Sequence, residues 1–136
     1  MKKNEIFCKV FLLGEEGVGK TSIKTCFINN TPLVNSLGIK TNDSKTMNFD
    51  GKNLKFFIWD MPAKKIKNEY YQNQCELSYF IGTDVFFLIY DITKKETFIK
   101  LKEYYDMING MDASKKKISL FIFLFYFFNF SNSISG

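Results

Sequence analysis

The 136-residue sequence contains neither arginine nor histidine; all 19 basic residues are lysine. Without histidine there is no imidazole for acid–base work or metal ligation, and without arginine no guanidinium to act in cis on a transferring phosphoryl group. Cysteine is scarce too. Cys8, Cys26 and Cys75 are odd in number and lack C-x-x-C spacing, which argues against a disulfide framework or a zinc site. They suit reduced thiols in the cytosol, with Cys8 and Cys26 as small core residues. Acidic residues number 14, for a net charge of +5, yet the lysines are scattered and form no stripe, so no nucleic-acid partner is implied. No transmembrane segment is expected, because the apolar run at residues 118–130 is shorter than the ~20 residues a spanning helix needs. The start, MKKNEIFCKVFLLG, imitates a secretion signal, but Lys9 interrupts it and GEEG stands where a small-residue cleavage site belongs. The expected location is cytoplasmic.

What the chain does have is apolar bulk: 46% hydrophobic residues and 18% aromatic, enough to fold one domain but too short for two. Residues 6–13 read as a strand running into a glycine-rich segment, followed by a helix in which Ile23, Cys26 and Phe27 share a face. Asn29, Asn30, Thr31 and Pro32 stop that helix. Residues 41–49 and 53–59 read as two strands of a hairpin turning at Asp50-Gly51, with Leu54, Phe56 and Ile58 on one face. Residues 61–69 are polar and patternless, with a short helix expected around 70–79. The unbroken apolar run at 85–90 reads as a strand covered on both faces. Thr93 and Glu96 have capping-box spacing ahead of Phe98, Leu101, Tyr105 and Ile108, so a helix should start there and end near Asn109-Gly110. A last strand is expected at 118–124. Strands alternating with helices predict an α/β sheet with helices on both faces.

GEEGVGKT, residues 14–21, fits G-x-x-x-x-G-K-[ST] at every fixed position and lies between strand and helix, as that motif's mechanism requires. The glycines let backbone amides turn inward around phosphate oxygens, with the helix N-terminus adding positive potential. Gly14, Glu15, Glu16, Gly17, Val18, Gly19, Lys20, Thr21 and Ser22 are the candidate nucleotide-contacting residues, Lys20 reaching the β and γ phosphates. Thr21 and Asp60, which ends an apolar strand one hairpin later, are candidate ligands for Mg2+.

The segments KVFLLGEEGVGKTS, DGKNLKFFIWD and YFIGTDVFFLIYDITKKETF resemble consecutive segments of Rab and Ras small GTPases, in order and at similar spacing. The resemblance covers residues 9–108. It implies a P-loop Ras-like G domain: a mainly parallel sheet with one antiparallel hairpin edge strand, binding GTP or GDP with Mg2+. Effectors or regulators would engage through switch segments at residues 29–41 and 61–74, at the cytosolic face of endomembranes. Ser36 is the nearest equivalent of the family's magnesium-binding switch threonine, at shorter spacing from Lys20 than the family uses.

The departures bear on catalysis. Where the family has D-x-x-G-Q, this chain has Asp60-Met61-Pro62-Ala63-Lys64. A lysine has three donors and no acceptor, so Lys64 cannot orient the attacking water as glutamine does, and weak hydrolysis is expected with no catalytic residue assigned. Beyond the fifth strand the NKxD and SAK segments that read guanine are not present, nor is a prenylated terminal cysteine. The expected organisation is therefore a partial G domain at 1–124 and an anomalous aromatic-rich tail at 125–136, from a translated intron or a shortened gene. Lys115, Lys116 and Lys117 read as a solvated turn or as a contact with an anionic membrane surface. Two other readings stay open: a nucleotide-free interaction module on the same fold, and a different P-loop enzyme, which the lack of arginine disfavours.

Overall fold

The nine-residue central strand β1 (Glu5–Leu13) alternates its side chains between two covered faces, sending Val10 and Leu12 to one face of the sheet and Phe11 and Leu13 to the other. The computed structural model describes residues 4–30, 44–73, 78–110 and 119–125. After β1 come α1 (Lys20–Asn29), β2 (Ser44–Phe49), β3 (Lys52–Asp60), α2 (Ala63–Asn73), a 3-10 turn at Ser78–Phe80, β4 (Val85–Asp91), α3 (Lys95–Ile99), α4 (Leu101–Asn109) and β5 (Ser119–Phe125). The strands lie in the order β2-β3-β1-β4-β5. β1 is parallel to β3 and β4, β4 is parallel to β5, and β2 alone is antiparallel. The expected mainly parallel sheet with a hairpin edge is thus observed. From β1 the chain goes to β3 on one side and later to β4 on the other, which opens a crevice at the carboxyl end of β1.

Both faces of the sheet are covered. α2 and α4 bury Ala63, Ile66, Leu101, Tyr104, Met107 and Ile108 against Phe11, Leu13, Phe86 and Leu88. On the opposite face α1 lays Ile23, Phe27 and Ile28 over Val10, Leu12, Ile58 and Ile89. Beside α1 that second face keeps an apolar cavity of about 390 Å³ floored by Val10, Ile58 and Phe87. Cys8 and Cys26 are half-buried, not fully buried core residues as expected, Cys8 packing against the cluster of this face, while Cys75 lies outside the described residues.

Local chemistry explains the element boundaries. Asp50 and Gly51 both take positive φ, 50° and 72°, the conformation a two-residue hairpin turn needs. Asn30, at φ 52°, ends α1 in the left-handed region, and Lys45 from β2 donates to the freed Phe27 carbonyl at 2.7 Å. Lys9, the charge inside β1, donates through Nζ to the carbonyls of Tyr79 (2.5 Å) and Ile81 (2.9 Å) and lies 4.5 Å from the Trp59 ring.

Two expected helix starts are corrected. α2 begins at Ala63, not near residue 70, because Pro62 lends its carbonyl to the amides of Lys65 and Ile66 while Ala63 and Ile66, one turn apart, enter the core. The capping box does not form: the Thr93 hydroxyl donates to Asp91 Oδ1 at 2.6 Å, and the helix starts at Lys95. That helix also breaks at Lys100 into α3 and α4. β5 includes Phe125, one residue past the expected strand end, and residues 126–136 lie outside the described residues.

Candidate functional site

At the carboxyl end of β1 the chain must leave the sheet tightly against β4. A Cβ at Gly14 would sit 2.3 Å from the Ile89 carbonyl oxygen, so glycine alone fits there. The loop then turns through Gly17 (φ 83°) and Gly19 (φ 103°) into the first turn of α1. No side chain caps that helix, whose N-cap is Gly19, so its first-turn amides face the crevice without a side-chain acceptor. Val18 plugs the core at 2% exposure, leaving only its amide toward the loop, where it makes a long 3.4 Å bond to the Glu15 carbonyl.

Lys20 is the buried cation of the site, 7% exposed. Its Nζ donates to the carbonyls of Gly14 at 2.8 Å and Glu15 at 3.0 Å, closing the loop into a ring. Burial pushes the Lys20 ammonium below its ordinary value, while Asp60, Glu15 and Glu16 pull it back up. From β3, Asp60 meets the first turn of α1: Thr21 Oγ1 donates to Asp60 Oδ2 at 2.5 Å. Glu16, Gly17, Lys20, Thr21, Asp60 and Pro62 bound a cavity of about 450 Å³ between the loop and the start of α2.

The arrangement separates two functions. Amides and one ammonium favour an anion with several oxygens, and a hydroxyl beside a carboxylate offers two hard oxygen donors to a divalent cation. Mg2+ fits this donor set, since it keeps several waters and takes only one or two protein ligands beside phosphate. Among the described residues no group of three or more acidic, thiol or imidazole side chains could hold a metal unaided. Of the residues expected from sequence, Glu16, Gly17, Gly19, Lys20, Thr21, Ser22 and Asp60 line one cavity, Gly14 and Glu15 join them through the carbonyls that Lys20 holds, Val18 points into the core, and Ser36 lies outside the described residues. Pro62 and the buried Ala63 open α2 at the cavity wall, and Lys64 beside them is exposed.

Sequence reasoning missed three residues around Glu15. Lys67 of α2 pairs with the Glu15 carboxylate and, at 2.8 Å, with Glu103 of α4, while Tyr104 donates to Glu15 Oε1 at 3.3 Å. Separations of 52 and 89 residues leave no local signal that could have found them.

Residues 9–123 match the Ras family. The chain is 36% identical over 97 residues to Ras-related protein RABC2b of Arabidopsis thaliana, covering 70% of this chain and 44% of that protein. It is 33% identical over 99 residues to Ras-related protein Rab-18-B of Danio rerio (71% and 45%). Against Ras-related protein SEC4 of Saccharomyces cerevisiae it is 27% identical over 111 residues (79% and 49%). It spans about half the length of the curated relatives it matches. Strand order, the loop at the carboxyl end of β1, and a match across most of the sequence agree, and the chain belongs to the Ras family, with Rab-named proteins among its relatives.

Proposed function

We propose that the crevice binds the phosphates of GTP or GDP together with Mg2+, and that the chain acts as a Rab-type switch in vesicle traffic with weak hydrolysis of its own. The observation that carries this reading is Lys20, a buried ammonium held inside a ring of backbone at the mouth of an uncapped helix. An amide cradle of this kind depends little on side chains elsewhere, so phosphate binding survives divergence of the switch segments. Thr21 and Asp60 would hold Mg2+, which supplies charge neutralisation between the phosphate oxygens. Their mutual hydrogen bond holds both oxygens on one side of the cavity in advance.

Hydrolysis needs an oriented water and stabilised charge. Lys64 offers no acceptor to such a water, and the sequence holds no arginine to stabilise charge on the transferring group. Slow turnover by the isolated chain follows. Family membership supports guanine as the base, effector contact through the switch segments, and action at the cytosolic face of endomembranes.

The test is titration with fluorescent GTP and ATP analogues, with and without Mg2+, on the native chain and on Lys20→Ala. Lys20→Ala should weaken binding by tenfold or more, about 1.4 kcal/mol per decade. Equal signals from the two proteins would overturn the reading, and absence of binding by both would leave an interaction module on the same fold.

A further inference from the structure

The fixed positions of the loop motif leave residue 15 open, yet here it is a glutamate engaged at both ends. Its backbone carbonyl accepts from Lys20 at 3.0 Å, and its carboxylate pairs with Lys67 from α2. Lys67 in turn contacts Glu103 Oε2 at 2.8 Å and lies 5.2 Å from the centre of the Tyr104 ring. The Lys67 side chain is 18% exposed and that of Glu15 26%, so this pair is better shielded from solvent than an ordinary surface ion pair.

We propose that Lys67 is a positioning residue for the phosphate-binding loop: it neutralises the Glu15 carboxylate and fastens the loop to α2 and α4. This rests on the phosphate-binding reading above. Remove the ammonium, and Glu103 keeps Lys100 at 3.2 Å whereas Glu15 keeps a neutral donor, the Tyr104 hydroxyl at 3.3 Å, so its negative charge adds to that of Glu16 at a site that must accept phosphate. A partly shielded carboxylate that loses its counter-charge gains by moving into solvent, and the free response of the loop is to swing Glu15 outward. The carbonyl that Lys20 uses belongs to the same residue, so displacement of the Glu15 side chain reaches the phosphate-binding ammonium through one peptide unit. Loop, α2 and α4 are thereby coupled through a charge network whose only shared member in the loop is Glu15.

The test is a double-mutant cycle read by binding of inorganic triphosphate with Mg2+. Lys67→Met keeps the apolar stem and should weaken binding about tenfold in the native background, but less than threefold in a Glu15→Gln background, where the neutral amide needs no cation. Lys67→Arg should retain most of the affinity. A loss of equal size in both backgrounds, or no loss in either, overturns the proposal, since a purely structural lysine would not depend on the charge of residue 15. Hydrogen exchange of the amides at residues 14–19 in the ligand-free chain gives a readout independent of binding. Lys67→Met should speed their exchange severalfold and Glu15→Gln should cancel most of that effect; unchanged exchange overturns the proposal. Failure of the native chain to bind triphosphate, with the exchange effect present, would sink the phosphate reading and leave the positioning role standing.

Discussion

Gly14→Ala probes the narrowest point between loop and sheet. The added Cβ would stand 2.3 Å from the Ile89 carbonyl oxygen and 3.1 Å from Val18 Cγ2, whereas Cβ atoms essentially never approach closer than 3.0 Å. β1 and β4 must therefore part by about 0.7 Å near the Leu13–Leu88 pairing, and the atom in the way is backbone, which cannot rotate aside. Overpacking of this kind costs about 3 kcal/mol, the upper part of its usual range. Gly17→Ala is the control: nothing lies within 4 Å of its Cβ, and only its φ of 83° is unfavourable, at about 1 kcal/mol. With a urea m-value of about 1.5 kcal/mol/M, the two variants should lower the unfolding midpoint by about 2 M and about 0.7 M. Trp59, the sole tryptophan, reports the transition by fluorescence. A Gly14→Ala chain that unfolds at the native midpoint, or no earlier than Gly17→Ala, would refute the close approach of loop and strand.

Triphosphate affinity should begin to fall with rising pH below the ordinary lysine value of 10.5, because burial lowers the Lys20 ammonium in the free chain and a bound phosphate raises it, so binding takes up a proton there. In the ligand-free chain the same shift acts oppositely: the unfolded state holds that proton longer, so this group's contribution to stability rises with pH over the same window. Titration with inorganic triphosphate across alkaline pH checks the first effect, and a slope unchanged in Lys20→Ala would refute it. The apolar cavity beside α1, with Ile6 44% and Met47 42% exposed on the same face, predicts binding of a hydrophobic dye. If the aromatic segment at 126–136 packs there, its deletion raises dye binding and lowers solubility and Tm; no change in all three would refute that packing.

The order of elements was legible in the sequence because each signal is local. A glycine-lysine-threonine loop between strand and helix, a turn at Asp50-Gly51 and a doubly buried run in β4 depend on neighbours within a few residues, and their chemistry admits few alternatives. The start of α2 was not legible. Its amphipathic signal amounts to Ala63 and Ile66 among lysines, and packing against Phe11 and Tyr104 from distant parts of the chain decides that it is helix. The capping box failed for a local reason instead: Thr93 turns back to donate its hydroxyl to Asp91 Oδ1, and the helix starts two residues later, at Lys95. At the site, sequence alone placed Lys20, Thr21 and Asp60 by motif and strand end. That Thr21 and Asp60 touch, that Lys67 and Tyr104 meet Glu15, and that Glu103 meets Lys67, only the tertiary structure decided, because those contacts join side chains on separate elements and leave no period or spacing in the chain.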